Sequence, residues 1–246
     1  MRAFFKNNGL TLVLMAVFLG TWFGQFLTGH REHNQDQREH RQPEVSPGQY
    51  LVSGHFWQAT GENWESEFLQ MAMFVVLTCC LYQKGSPESK DPDDEDAVDN
   101  DPRLQRDKPD APWPVRKGGA FVLWLYSYSL SICFGLLFIA SFLIHAAGGV
   151  KEYNQEQLAH GEAGTTMLAY MGTSRFWFES FQNWQSEFLS LAAMVYLAVY
   201  LRQRGSAESK PVAAPHDEDG EDEPVIKAPE AEASGRLPGG AAPRPA

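Results

Sequence analysis

One six-residue motif occurs twice in this chain and contains the residues best suited to chemistry. It is NWxSEF, at 63–68 and again at 183–188. On a helix, the Asn, Ser and Glu of the motif fall at i, i+3 and i+4 and therefore share one face. Because aliphatic residues occupy the opposite face, we expect this polar stripe to point into a bundle of helices. The stripe consists of Asn63, Ser66, Glu67, Asn183, Ser186 and Glu187.

The glutamate of each motif is a candidate ion-binding group. An ionisable side chain at membrane depth costs about 2–3 kcal/mol or more, so its presence indicates a function. A shift of 120 residues aligns Gln25 with His145, at a depth similar to Glu67 and Glu187. A ring of these four residues is one hypothesis for a proton or cation site. The alternative, which we favour, is that Asn, Ser and Glu cap the helix start and hold the bundle together.

Four apolar segments must position these residues. The first, about 8–28, and the third, about 120–147, are long enough to cross a hydrocarbon core of about 30 Å, because a helix rises about 1.5 Å per residue. The second and fourth, about 62–83 and 182–203, are shorter, with uncharged stretches of 16 and 14 residues. The pattern predicts an all-α fold, a four-helix transmembrane bundle.

The chain matches itself when it is shifted by 120 residues. Between 29–90 and 149–210, 25 of 62 positions are identical and no gap is needed. We interpret this match as a tandem duplication of a two-helix hairpin. Parallel repeats of this kind occur in transporters, but any duplicated hairpin would give the same symmetry, and we favour that simpler explanation.

The duplication divides the chain into two repeats and two polar segments. The first repeat spans 1–83 with an outer loop at 29–61, and the second spans 118–204 with an outer loop at 148–181. Neither polar segment can bury an apolar core, so we expect both to be disordered. These segments are the acidic linker 84–117 and the tail 205–246, which is rich in Ala, Pro and Glu.

Lys and Arg predict the orientation in the membrane. The N-terminus, the linker and the tail as far as Lys210 contain twelve of them, whereas the two outer loops contain five. Because Lys and Arg are retained on the cytoplasmic side, we expect both termini and the linker to be cytoplasmic.

Aromatic and small residues predict how the helices meet the bilayer and each other. Trp and Tyr favour membrane interfaces. Small residues spaced by four in the first and third segments favour a compact bundle or a homo-oligomer. The aromatic residues expected at the outer interface are Phe56, Trp57, Trp64, Phe176, Trp177 and Trp184.

Several classes of function are disfavoured. A net charge of −11 without a basic stripe argues against a nucleic-acid partner. The histidines around HREHNQDQREH could hold a divalent metal, but only His40 recurs, as His160, so we favour a solvated loop and expect no metal and no cofactor. Phosphate-binding, nucleophile-elbow and HExxH motifs do not occur, so we do not expect an enzyme.

The tracts GHREHNQDQREH, NWESEFLQM and GSPESKDPD resemble those of a family of bacterial membrane proteins that is defined by a domain of unknown function. The resemblance covers roughly residues 2–210 and implies an inner-membrane location and no known activity. We therefore expect a multi-pass protein of the bacterial inner membrane, with the lipid bilayer as its partner. Its simplest function is structural or related to envelope stress. The alternative is a small transporter or channel that uses Glu67 and Glu187 as a proton or cation site.

Overall fold

The computed structural model describes residues 2–93 and 96–220, and these residues form helices and turns without any strand. The prediction of an all-α fold is therefore confirmed. The first hairpin consists of α1 (Arg2–Glu39), α2 (Pro47–Leu51) and α3 (Gly54–Leu77). A short helix, α4 (Trp113–Lys117), precedes the second hairpin. The second hairpin consists of α5 (Ala120–Ser127), α6 (Ser129–Ala159), α7 (Met167–Met171) and α8 (Ser174–Tyr200).

The two hairpins turn through the same side-chain contacts. In the first, the Asn34 amide accepts from the backbone N–H of Val45 at 2.8 Å and donates to its carbonyl oxygen at 3.0 Å. In the second, Asn154 makes the same pair of bonds with Thr165, at 2.6 and 2.9 Å. Since each amide satisfies both backbone groups of one loop residue, it fixes where the chain reverses.

Hydroxyl caps, rather than the apolar runs, set where α3 and α8 begin. Ser53 accepts from the backbone N–H of Phe56 at 3.1 Å, and Thr173 accepts from that of Phe176 at 3.3 Å. A cap of this kind satisfies an N–H group that the helix itself cannot bond. Both helices therefore begin eight residues before the predicted starts at 62 and 182. In the same way α1 and α6 continue beyond the predicted ends at 28 and 147.

The third predicted helix is interrupted at Tyr128, which separates α5 from α6. Two serine side chains bond to backbone carbonyls beside the interruption: Ser127 donates to Leu123 and Ser129 donates to Tyr126, each at 2.8 Å. Serine hydroxyls that bond backbone carbonyls compete with the helical pattern and bend helices.

Glycines bring the two hairpins together along α3 and α6. A Cβ atom at Gly54 would lie 2.7 Å from the backbone nitrogen of Glu152, and one at Gly61 would overlap the backbone nitrogen of His145. On the facing helix, a Cβ at Gly148 would overlap the backbone of Gln58. Close backbone approach of this kind needs small residues at the contact. These glycines therefore determine which side chains of α3 can reach α6.

Two helices among the described residues, α1 and α6, are long and apolar enough to cross a membrane. The most apolar 18-residue stretch of α1 contains no residue buried within the chain, and that of α6 is 17% buried. Length and composition indicate membrane association only weakly when two helices qualify. Within the described residues, α3 and α8 do not meet the same criteria of length and apolarity.

The linker and the start of the tail contain local turns. Within the linker, Ala97–Asp99 and Pro102–Gln105 form short 3-10 helices. In the tail, the buried ammonium group of Lys210 donates to the carbonyl oxygens of Gly85 and Glu218, at 2.6 and 2.7 Å. The disorder predicted for 221–246 concerns residues outside those that the structure describes.

Candidate functional site

His145 is the centre of a buried polar network. It lies on α6 and is completely buried. Its Nδ1 atom lies 2.8 Å from Oε2 of Glu65 on α3, and its Nε2 atom lies 3.3 Å from Oε2 of Glu179 on α8. The Phe176 ring stacks on the imidazole at a centroid separation of 4.6 Å. The histidine is therefore held between two carboxylates and one aromatic ring, and through them α6 contacts two other helices, α3 and α8.

Glu65 is the more deeply buried of these two carboxylates. It has no exposed surface. Its Oε1 atom accepts from the indole N–H of Trp184 at 2.9 Å, while Oε2 faces His145. An unpaired carboxylate in such surroundings would be strongly disfavoured. Both oxygens are satisfied, so this side chain is fixed in one orientation.

Glu179 lies just before the predicted fourth span and is hydrogen-bonded from three sides. Tyr170 donates its hydroxyl to Oε2 at 2.8 Å, and Arg175 donates Nε–H to Oε1 at 3.1 Å. Burial alone would raise the pKa of this carboxyl. However, the hydrogen bonds from His145, Tyr170 and Arg175 together hold that pKa below its usual value. Glu179 is therefore ionised at neutral pH.

A third carboxylate, Glu62, completes the group, and we refer to Glu62, Glu65, His145 and Glu179 as the His145 cluster. The side-chain amide of Asn183 donates to Glu62 Oε1 and to the Glu179 backbone oxygen. One ligand atom each from Glu62, His145 and Glu179 lies within 4.8 Å of the other two. These residue types at this separation could hold a metal ion.

An acidic cavity adjoins the cluster at the end of the bundle formed by the loops. It encloses about 350 Å³ and includes Glu62 in its wall. Five carboxylates face it, together with two histidines and the guanidinium group of Arg175, which also binds Glu156. The remaining carboxylates of the wall are Glu32, Asp36, Glu152 and Glu156. Such a wall attracts cations and repels anions.

Glu67 and Glu187 lie on a part of the bundle that does not include His145. Glu67 is exposed and Glu187 is partly buried. They lie near the contact between α3 and α8, where Gln70 of α3 donates to the Glu187 backbone oxygen at 2.8 Å. Within the described residues neither glutamate hydrogen-bonds to His145. Gln25 also lies elsewhere and donates to Thr60 at 3.3 Å, between α1 and α3.

The other stripe residues bond mainly within their own helices. Asn63 donates to the backbone oxygen of Ala59 at 2.7 Å. Ser66 and Ser186 donate to the backbone oxygens of Asn63 and Asn183, at 2.9 and 2.8 Å. Of the polar residues predicted for the site, His145 is a member of the cluster and Asn183 donates to it.

The aromatic residues predicted at the membrane interface occupy several environments. Phe56 and Phe176 are core residues with almost no exposed surface, because they occupy the first turns of α3 and α8 and face Tyr50 and Tyr170. Trp184 is a cluster contact through Glu65. The other three lie nearer the surface. Trp57 donates to the Leu51 carbonyl, while Trp64 and Trp177 pack against Trp22 and Phe142.

Sequence reasoning missed Glu62, Glu65 and Glu179 because it searched for residues that recur. At the positions 120 residues away stand Gln182, Gln185 and Ala59, and the counterpart of His145 is Gln25. These residues are found instead by comparing the two repeats for positions where one has a charged or ionisable residue and the other has an uncharged one.

The fold and site define an all-helical protein with two candidate membrane-spanning helices and a buried carboxylate–histidine network. The family described as "Domain of unknown function (DUF6766)" matches residues 1–221, and the chain belongs to it. A comparison with curated proteins finds no match, and a comparison with solved structures finds none either.

Proposed function

We propose that this chain is a multi-pass protein of the bacterial inner membrane that admits cations from the outer side to the His145 cluster, as a small transporter or channel. Four long helices cross the bilayer in this proposal, with both termini and the linker in the cytoplasm. The protein is not an enzyme. The cation site is the His145 cluster rather than Glu67 and Glu187.

The exposed surface of the long helices supports a membrane location. On α1, Leu10 is 77% exposed and Val13 is 61% exposed, and on α6 Leu136 is 63% exposed. The shorter pair behaves similarly, since Leu189 of α8 is 70% exposed. Contiguous apolar surface of this extent is unfavourable in water and favourable in lipid.

The acidic cavity is the observation on which the cation proposal depends. Its wall consists of the last turns of α1 and α6 and the first turns of α3 and α8. In the predicted orientation these turns face the outside. Glu62 belongs both to this wall and to the cluster, so a cation that enters the cavity can reach a cluster ligand.

A static structural function is the competing proposal. Both ring nitrogens of His145 have partners, and Glu65 is satisfied at both oxygens. A fully bonded network of this kind also locks α3, α6 and α8 together. The two proposals differ in whether the carboxylates exchange their partners for an ion.

Flux through reconstituted vesicles tests the proposal. The purified full-length chain is placed in sealed vesicles, and uptake of K⁺, Na⁺, Zn²⁺ and Mn²⁺ is followed with ion-sensitive dyes. We expect wild type to pass at least one cation, and Glu62→Gln to lower that flux at least about tenfold. Glu67→Gln is the matched control, because Glu67 is an exposed carboxylate on the same helix, and it should leave the flux unchanged.

Absence of flux from folded wild type would favour the structural function. Equal flux for Glu62→Gln and wild type would assign the pathway to another part of the bundle. Orientation is tested separately by reporter fusions. A reporter in the linker that is active only outside the cytoplasm would contradict the predicted topology.

A further inference from the structure

We propose that the His145 cluster is a binding site for a first-row divalent transition-metal ion. The ligands are Nε2 of His145 and one carboxylate oxygen each from Glu62 and Glu179. The inference rests on the proposed function in one respect, namely that the ion arrives through the acidic cavity.

The geometry of the three ligand atoms is compatible with a bound metal ion. His145 Nε2 and Glu179 Oε2 are 3.3 Å apart, which is long for a hydrogen bond to a carboxylate. Two atoms that each bind a tetrahedral zinc ion at about 2.0–2.2 Å lie about 3.4 Å from one another. The Glu62 oxygen lies within 4.8 Å of both, so a small side-chain rotation brings all three atoms to one ion.

Each proposed ligand already has the partner that would orient it. Glu65 faces Nδ1 of His145 at 2.8 Å. A hydrogen bond donated from Nδ1 to this carboxylate would hold the ring with Nε2 toward Glu179, so that a metal ion could replace the hydrogen on Nε2. Tyr170 and Arg175 donate to Glu179, and Asn183 donates to Glu62. A carboxylate behind a histidine ligand and hydrogen bonds behind carboxylate ligands are typical of metal sites.

Charge also favours a divalent cation. The cluster contains three carboxylates, and the nearby guanidinium group of Arg175 is shared between Glu179 and Glu156. Three carboxylates therefore surround a single imidazole, and the ionised carboxylates favour a bound cation. In the cavity wall, one oxygen of Glu152 is buried and has no hydrogen-bond partner within the described residues. A cation in the cavity would offset the negative charge of the carboxylates and would give the buried Glu152 oxygen a partner.

The ligand types indicate the class of metal. An imidazole nitrogen favours Zn²⁺, Fe²⁺ or Ni²⁺ over Mg²⁺ and Ca²⁺, and carboxylate oxygens also suit Mn²⁺. No thiolate belongs to the cluster, which disfavours Cu(I). Three protein ligands leave at least one coordination position open, and the cavity adjoins the site because Glu62 also belongs to its wall. An open position of that kind allows an ion to exchange rather than remain permanently.

Equilibrium binding to the detergent-solubilised full-length chain tests the site. The protein is stripped with a chelator and titrated with Zn²⁺ by calorimetry and with Co²⁺ by visible absorption, which reports the ligand set. We expect one ion per chain. Glu62→Gln and Glu179→Gln should each weaken binding at least about tenfold, and Glu65→Gln should weaken it by about 10–100-fold through the orientation of His145.

Two controls separate this site from other metal-binding groups. Glu67→Gln removes a carboxylate from the same helix outside the cluster, and His40→Gln removes an exposed histidine of the outer turn. Both should bind like wild type. Circular dichroism and gel filtration of each variant establish that it is folded.

The inference is overturned if folded wild type binds neither ion saturably, or if the cluster variants bind as tightly as wild type while His40→Gln does not. Its failure is distinguishable from failure of the proposed function. If flux of K⁺ or Na⁺ depends on Glu62 but the protein binds neither Zn²⁺ nor Co²⁺, the metal site is overturned and the proposed transport stands. Metal binding without flux of any cation would overturn transport alone.

Discussion

The two hairpins share their turns but differ in their polar interiors. Asn34 and Asn154 bond their loops in the same way, and Ser53 and Thr173 cap equivalent helices. At the positions of the His145 cluster, however, each charged or ionisable residue is matched by an uncharged one, 120 residues away. The pairs are Glu62 with Gln182, Glu65 with Gln185, His145 with Gln25, and Glu179 with Ala59.

This difference separates the residues that maintain the fold from those that form the site. The turn and cap contacts occur in both hairpins, as expected of residues that set backbone geometry. The cluster occurs once, with two members from α3 of the first hairpin and two from α6 and α8 of the second. The close pairing of α3 with α6, which the glycines at that contact allow, unites them together with the contacts of α3 with α8.

Removing Glu65 should have the largest effect on stability. Glu65→Ala leaves His145 and the Trp184 indole without their buried partner, and loss of one member of a buried pair costs about 3–5 kcal/mol. The equivalent change in the second hairpin, Gln185→Ala, affects an exposed side chain and should alter stability by less than about 0.5 kcal/mol. Denaturant titration of the solubilised protein measures both. Equal losses would show that the polar interiors do not differ energetically.

Gly61→Ala should be the next most damaging change. The added methyl would overlap the backbone of His145, so α3 and α6 must separate, and overpacking of this kind costs roughly 1–3 kcal/mol. Gly135→Ala is the control, because nothing lies within 4 Å of a Cβ there. Its better helix propensity should make it neutral or stabilising by up to about 1 kcal/mol. The free energy of unfolding of each variant gives the comparison, and a neutral Gly61→Ala would contradict the close helix approach.

The tyrosines at equivalent positions allow a matched comparison of their hydrogen bonds. Tyr170 donates to the ionised Glu179, whereas Tyr50 pairs with His55 Nδ1 at 3.0 Å. A hydrogen bond to a charged group contributes about 1.5–3 kcal/mol and a neutral one about 0.5–1.5 kcal/mol. Tyr170→Phe should therefore destabilise the protein by about 1 kcal/mol more than Tyr50→Phe in thermal unfolding. A larger loss for Tyr50→Phe would place the stronger polar network in the first hairpin.

Alkaline pH should act on the same two tyrosines. Burial, followed by repulsion from Glu32, raises the pKa of Tyr50 to about 12, and burial with the Glu179 hydrogen bond raises that of Tyr170 further. Because the folded pKa values exceed the unfolded value of about 10, their contribution to stability is complete below about pH 10 and is lost as pH rises above it. Unfolding measured across this range in wild type and Tyr50→Phe tests the effect. An unchanged pH dependence in the variant would contradict the burial of Tyr50.

The sequence predicts the helical class well because helix formation depends on local composition. Apolar runs located α1, α3, α6 and α8, but the starts of α3 and α8 depended on single hydroxyls, those of Ser53 and Thr173, which apolar runs do not reveal. The break at Tyr128 had the same kind of cause, since Ser127 and Ser129 bond locally to the backbone.

The site was harder to predict because it lies between the hairpins. The NWxSEF stripe is periodic and was found, but Glu67 is exposed and Glu187 is only partly buried. Whether Glu65 or Glu67 meets His145 depends on how α3 is rotated against α6, and Gly61 determines that rotation through a backbone contact. Helical periodicity places residues on a face without identifying its neighbour.

The smallest expected effects come from the shared caps, and they test the similarity of the hairpins rather than their difference. Ser53→Ala and Thr173→Ala each remove a hydroxyl that accepts from the third residue of its helix. Loss of such a cap costs typically about 1 kcal/mol. Because the geometry is the same in both hairpins, the two variants should lose nearly equal stability, and neither should alter metal binding at the His145 cluster. Calorimetric titration beside denaturant unfolding measures both quantities. A loss of roughly 3–5 kcal/mol in one of the two cap variants would be as large as that expected for Glu65→Ala. Such a loss in one hairpin only would show that the hairpins also differ in the contacts that set their helix ends.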